Sequence, residues 1–111
     1  MGNQSEAEAR AIPLPFSSTE LVLLHNEDWL HFEVESRSYL FILGSLRGDG
    51  TLEHLDFDLL TAEGSWVQTD SLDEPEGTSY EGALIEPGAY NLVISDRYDG
   101  WGNYGLELSL L

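Results

Sequence analysis

The sequence predicts an all-β domain: a two-sheet antiparallel β-sandwich of the jelly-roll kind, with about eight strands. Three observations carry that expectation. Apolar and polar residues alternate with period two in segment after segment. Helical spacing is sustained nowhere for the ten or so residues that a helix requires. Turn formers punctuate the chain at short intervals, and 111 residues suffice for one two-layer core but not for two.

The elements follow in order. Residues 1–11 read as a loosely ordered opening segment, and a weak strand is expected at Glu20 to Leu24. In DWLHFEV, Leu30, Phe32 and Val34 share one face while Trp29, His31 and Glu33 share the other, as a half-buried strand requires. SYLFILGSL is apolar on both faces, which marks a central strand supplying Phe41 or Ile42 to the core. After the turn formers Gly48, Asp49 and Gly50, EHLDFDLL turns Leu55, Phe57 and Leu59 inward and His54, Asp56 and Asp58 outward. The Glu63-Gly64 turn leads to a short strand from Trp66 to Thr69, and the acidic stretch DSLDEPEG to another from Ser79 to Ile85. Past the Pro87-Gly88 turn, Tyr90, Leu92 and Ile94 align in one strand, and Tyr104, Leu106, Leu108 and Leu110 in the last. Leu30, Phe32, Phe57, Leu92, Leu106 and Leu108 are the expected shared core.

Composition narrows the function classes. Four basic against twenty-one acidic side chains leave a formal charge of −17, which repels phosphate backbones and anionic lipid, so neither nucleic acid nor a membrane is an expected partner. The same charge suits a salt-rich setting, a cationic partner or bound divalent cations. With no cysteine, disulfides, thiolate metal sites and cysteine nucleophiles are excluded. The amino end MGNQSEAEAR lacks the basic start and apolar middle of a signal peptide. Neither a G-x-S-x-G elbow nor a phosphate loop occurs, and the chain is expected to be non-catalytic and monomeric.

SEAEARAIPLPF, NEDWLHFEV, LDFDLLTAEGSWV, LIEPGAYNLVIS and GNYGLELSL occur in an order that resembles the bacterial pre-peptidase C-terminal domain family. The shared features are an Asp-Trp-x-x-Phe-x-Val strand, an Asp-x-Asp-Leu strand ending in a glycine turn, a Pro-Gly-x-Tyr strand and a closing Gly-x-Tyr-x-Leu strand. The resemblance spans nearly the whole chain. It implies a β-sandwich accessory domain, secreted or periplasmic, attached to a parent protease or another exported hydrolase. Relatives such as the collagen-binding domains of bacterial collagenases bind a polymer and hold calcium. By that resemblance, calcium would join Glu6 and Glu8 of the opening segment to Glu27 and Asp28 before Trp29.

The residues themselves offer further candidates. In SDRYDGWGN, Asp96, Asp99 and Asn103 supply oxygens of the kind calcium takes, and Gly100 and Gly102 let the backbone fold around an ion. Ordinary hairpin chemistry accounts for the same residues. Trp101 and Tyr98 flank the loop glycines, where an aromatic face can stack on a sugar, a proline or a peptide, or can fold back to seal the core. Trp66 has the same two readings. His31, His54, Asp56 and Asp58 suit either a metal-dependent hydrolase or the alternating charges of a solvated face. The reading that follows is a non-catalytic, calcium-stabilised accessory domain. A carbohydrate- or protein-polymer-binding module working through the loop aromatics is the alternative.

Overall fold

The computed structural model describes residues 9–24, 27–46, 54–72, 78–96 and 101–110, and the nine strands below lie among them. In chain order they are β1 (Arg10–Ala11), β2 (Phe16–Leu24), β3 (Asp28–Val34), β4 (Ser38–Leu46), β5 (Leu55–Thr61), β6 (Trp66–Leu72), β7 (Thr78–Ile85), β8 (Gly88–Ser95) and β9 (Trp101–Leu110). They form a five-stranded sheet in the order β1-β3-β8-β5-β6 and a four-stranded sheet in the order β2-β9-β4-β7. Every pairing is antiparallel except the short parallel contact of β1 with β3.

The inward-facing residues of both sheets close one core, as period-two alternation demands. Leu30, Phe32, Leu55, Phe57, Leu59, Leu92 and Ile94 come from the first sheet; Leu40, Ile42, Tyr104, Leu106 and Leu108 come from the second. Of the two residues expected to share that role in SYLFILGSL, Ile42 is the core residue. Phe41 points the other way and packs on Tyr39, ring centroids 5.1 Å apart. The sheets approach so closely at Gly44 that a Cβ there would overlap the Phe57 ring of the facing sheet.

Three expectations are corrected. Arg10 and Ala11, placed in the loosely ordered opening segment, form β1, and Ile12 N–H donates to the His31 carbonyl at 2.8 Å. Two polar or small residues carry no alternation signal, so the pairing is invisible before the neighbouring strand is known. β2 begins at Phe16 rather than Glu20, with a register shift between Ser18 and Leu21 that breaks the period. His54, expected to face outward, is only 2% exposed, and its Nε2 lies 2.8 Å from Asp56 Oδ1. Alternation assigns a side chain to a face; it does not say what lies over that face.

The Glu63-Gly64 turn is present as expected. Gly64 has φ 92°, a left-handed value that favours glycine; its N–H donates to the Thr61 carbonyl at 2.9 Å, and Thr61 N–H donates to the Ser65 carbonyl at 2.8 Å. The turn therefore launches β6 with Trp66 opposite Leu60.

Candidate binding site

Sheet register lines up residues that the sequence scatters. Across the outer face of the five-stranded sheet, Ala11 pairs with His31, His31 with Asn91, Asn91 with Leu60 and Leu60 with Trp66, one residue from each strand. Beside this row runs another, Trp29, Val93, Asp58 and Thr69. β8 is the central strand, so its outward residues are walled by neighbours on both sides, and Asn91 and Val93 are each only 3% exposed.

At one end of the first row stands Trp66, 63% exposed. Its indole N–H donates to Thr69 Oγ1 at 2.7 Å, and the Thr69 hydroxyl donates in turn to Asp58 Oδ1 at 2.5 Å. That relay fixes the ring's orientation on the outer face while leaving much of its surface open. Toward the other end, Ala9, Ala11, His31, Ala62 and Asn91 line a cavity of about 280 Å³. His31 Nδ1 and Asn91 Oδ1 are 3.0 Å apart. A carbonyl oxygen only accepts, so Nδ1 carries the proton, and a neutral ring then presents Nε2 as an acceptor. No buried side-chain nitrogen or oxygen among the described residues lacks a partner. Among the described residues Asn91 Nδ2 has no bonding partner, and it accordingly opens onto the cavity that Asn91 lines.

The other candidates gather at one end of the sandwich. Asp28 begins β3, Asp96 follows β8, and Trp101 begins β9 on the facing sheet. Asp28 is buried and its Oδ2 accepts from the Tyr104 hydroxyl at 2.6 Å, a tie from one sheet to the other. Burial pushes the Asp28 carboxyl above the ordinary carboxylate value, opposed by the Tyr104 hydrogen bond. Burial and the neighbouring Asp28 charge together push the Tyr104 phenol well up. Glu27 is exposed and accepts from the Trp29 indole N–H at 3.0 Å. Asp96 and Asn103 are half-buried, and Trp101 is 43% exposed.

Glu6, Glu8, Tyr98 and Asp99 lie outside the described residues. Among the described residues, no three His, Cys, Asp or Glu side chains come together to hold a metal, so Glu27, Asp28 and Asp96 do not by themselves make a calcium cage. Trp66 and Trp101 stand on different sheets at opposite ends: Trp66 is near the Thr61–Tyr90 pairing, and Trp101 follows the end of β8. His31 lies mid-face with Asn91, whereas His54 precedes β5 at the far end, so the two histidines do not form one cluster. Asn91 went unremarked in the sequence. Its one signal is an amide at an outward position of an otherwise apolar strand, YNLVIS.

No family model matches the chain, and no curated protein matches it in sequence. Solved structures share its fold. The chain has the fold of the pre-peptidase C-terminal domain of a collagenase from Bacillus anthracis: TM-score 0.71 at 20% identity, covering 92% of this chain and 95% of that one. It is also similar to PliG of Salmonella Typhimurium, a periplasmic inhibitor of g-type lysozyme (TM-score 0.55, 16% identity, 93% of this chain and 99% of that one). Part of a β-glucosidase from Paenibacillus barengoltzii is similar as well (TM-score 0.51, 15% identity, 90% of this chain and 11% of that one).

Proposed function

We propose that this chain is a non-catalytic accessory domain that works outside the cytoplasm and binds a polymer, protein or polysaccharide, on behalf of a parent hydrolase. The observation that carries the binding reading is Trp66: a large ring 63% exposed and held in place through Thr69 and Asp58. A tryptophan that only completed a core would turn its ring inward, since burying an aromatic of this size contributes far more than leaving it in water. The shared fold with a collagenase domain and a periplasmic inhibitor supports the setting and the parent. Pull-down on insoluble polysaccharides and on collagen tests the reading. Retention should fall in Trp66→Ala; equal retention of the two proteins on every matrix, or none by the wild type, would overturn it.

A calcium ion at the β3 start is the second reading, favoured because Glu27, Asp28 and Asp96 share one end of the sandwich with Asn103 on β9. An ion there would draw its further ligands from Glu6, Glu8 or Asp99. Calcium should then raise the melting temperature over chelator at matched ionic strength, and Asp96→Ala should reduce the rise. Equal melting temperatures in calcium and chelator would remove the ion from the account.

A further inference from the structure

The cavity on the same face as Trp66 has a chemistry of its own. Ala9, Ala11 and Ala62 line it together with Asn91, whose amide offers a donor, and His31, whose neutral ring offers Nε2 as an acceptor when Nδ1 donates to Asn91. Asn91 is 3% exposed and clamped by His31, so the pair is preorganised and loses little freedom on binding. At about 280 Å³ the cavity lies just below the range of ligand pockets, about 300–1,000 Å³, and takes one compact unit rather than a chain. Trp66 sits in the same row two strands away, about 10 Å from Asn91 at ordinary strand spacing. Leu60 is an apolar ridge between them.

We propose that the outer face of the five-stranded sheet is a two-subsite glycan site, in which Trp66 stacks one sugar ring and Asn91 and His31 hydrogen-bond hydroxyls of another. This rests on the reading of Trp66 as the stacking residue. A donor and an acceptor side by side match neighbouring hydroxyls, each of which both donates and accepts. At these two residues the main chain is paired on both sides, His31 between β1 and β8 and Asn91 between β3 and β5, so a ligand is read here by side chains. A peptide strand, by contrast, pairs with a sheet edge through its backbone. The glycan is neutral, because a chain of net charge −17, with Asp58 and Glu33 on this face, repels uronates and sulfates.

Isothermal titration calorimetry with malto-, isomalto-, xylo- and cellohexaose, with glucose and xylose, and with collagen peptide tests this directly. Three variants are compared with wild type: Trp66→Ala, Asn91→Asp and Ala11→Phe. Asn91→Asp keeps the acceptor toward His31 and removes the donor. Ala11→Phe fills the cavity from an exposed edge-strand position and leaves the polar pair intact; a melting temperature within a few degrees of wild type is the check that it folds. The expected result is that at least one hexaose binds and each variant weakens it about tenfold or more, while the monosaccharides, too short to reach both subsites, bind far more weakly. Hexaose binding lost in Trp66→Ala but untouched by Ala11→Phe and Asn91→Asp would overturn the second subsite and leave the polymer reading standing. Binding of collagen peptide without any hexaose would overturn the glycan inference alone. Silence from every probe would overturn both.

Discussion

Two polar pairs in this domain look alike and do different things. Asp28 and Tyr104 meet between the sheets at 2.6 Å, the phenol wholly buried and the carboxylate nearly so. His31 and Asn91 meet at 3.0 Å on the outer face, within one sheet. The first pair spends its hydrogen bond on joining the two layers of the fold. The second fixes two side chains against each other and still presents a donor and an acceptor to a cavity. The difference separates a structural tie from a site: each pair has a buried member, Asp28 or Asn91, and what distinguishes them is which polar atoms remain available.

The sharpest contrast between inside and outside is expected at two glycines. Gly44→Ala would drive a methyl group into the Phe57 ring, which is itself only 2% exposed. It should cost stability at the upper end of about 1–3 kcal/mol, read by urea denaturation. Gly82 lies under the ring of Tyr39, which is 44% exposed and can swing aside, so Gly82→Ala should stay within about 1 kcal/mol of wild type. Comparable losses in the two would erase the contrast.

Next in size are the pairs themselves. Tyr104→Phe leaves the buried Asp28 carboxylate without its donor and should cost about 1–3 kcal/mol. His31→Ala opens Asn91 to water and should cost less than about 1 kcal/mol while weakening ligand binding. Denaturation and calorimetry on the same two proteins check both halves.

A smaller effect concerns pH. Burial raises the folded-state pKa of Asp28 above its ordinary value of 3.8. The folded protein thus holds that proton more tightly than the unfolded chain. The resulting stabilisation is complete below about 3.8 and is lost as pH rises through the raised folded value. Asp28→Asn, which can still accept from Tyr104, lacks this dependence. Wild type should therefore lose stability relative to Asp28→Asn as pH rises through that window; a gap that moved the other way would contradict the assignment.

The smallest effect is expected on the four-stranded sheet. Its outer face carries Tyr39, Phe41 and Leu84. Leu84→Ser, at a position 54% exposed, should change stability by less than about 0.5 kcal/mol and leave polymer retention unaltered.

Alternation located most of the strands and most of the core, though not β1 or the first half of β2, because a half-buried strand must write its burial into the sequence with period two. Phe32, Phe57 and Leu106 were legible for that reason. The site was less so. Trp66 stood out as a large aromatic after a turn, but the relay through Thr69 to Asp58 depends on the pairing of β5 with β6. His31 and Asn91 are separated by sixty positions and meet only because β3 pairs with β8 in one register. Asp28, singled out as a calcium ligand before Trp29, is turned inward onto Tyr104, a partner that no local pattern discloses.

The central claim is that ligand meets the outer face of the five-stranded sheet, and amide and side-chain chemical-shift mapping by NMR during titration with the tightest-bound hexaose tests it most directly. The expected result is perturbation of the Trp66 indole N–H, the Asn91 side-chain amide and the backbone of Leu60 and Ala62, with Tyr39, Leu84 and Trp101 unmoved. Shifts confined to Trp101 and its neighbours, or to the Tyr39 face, would contradict it.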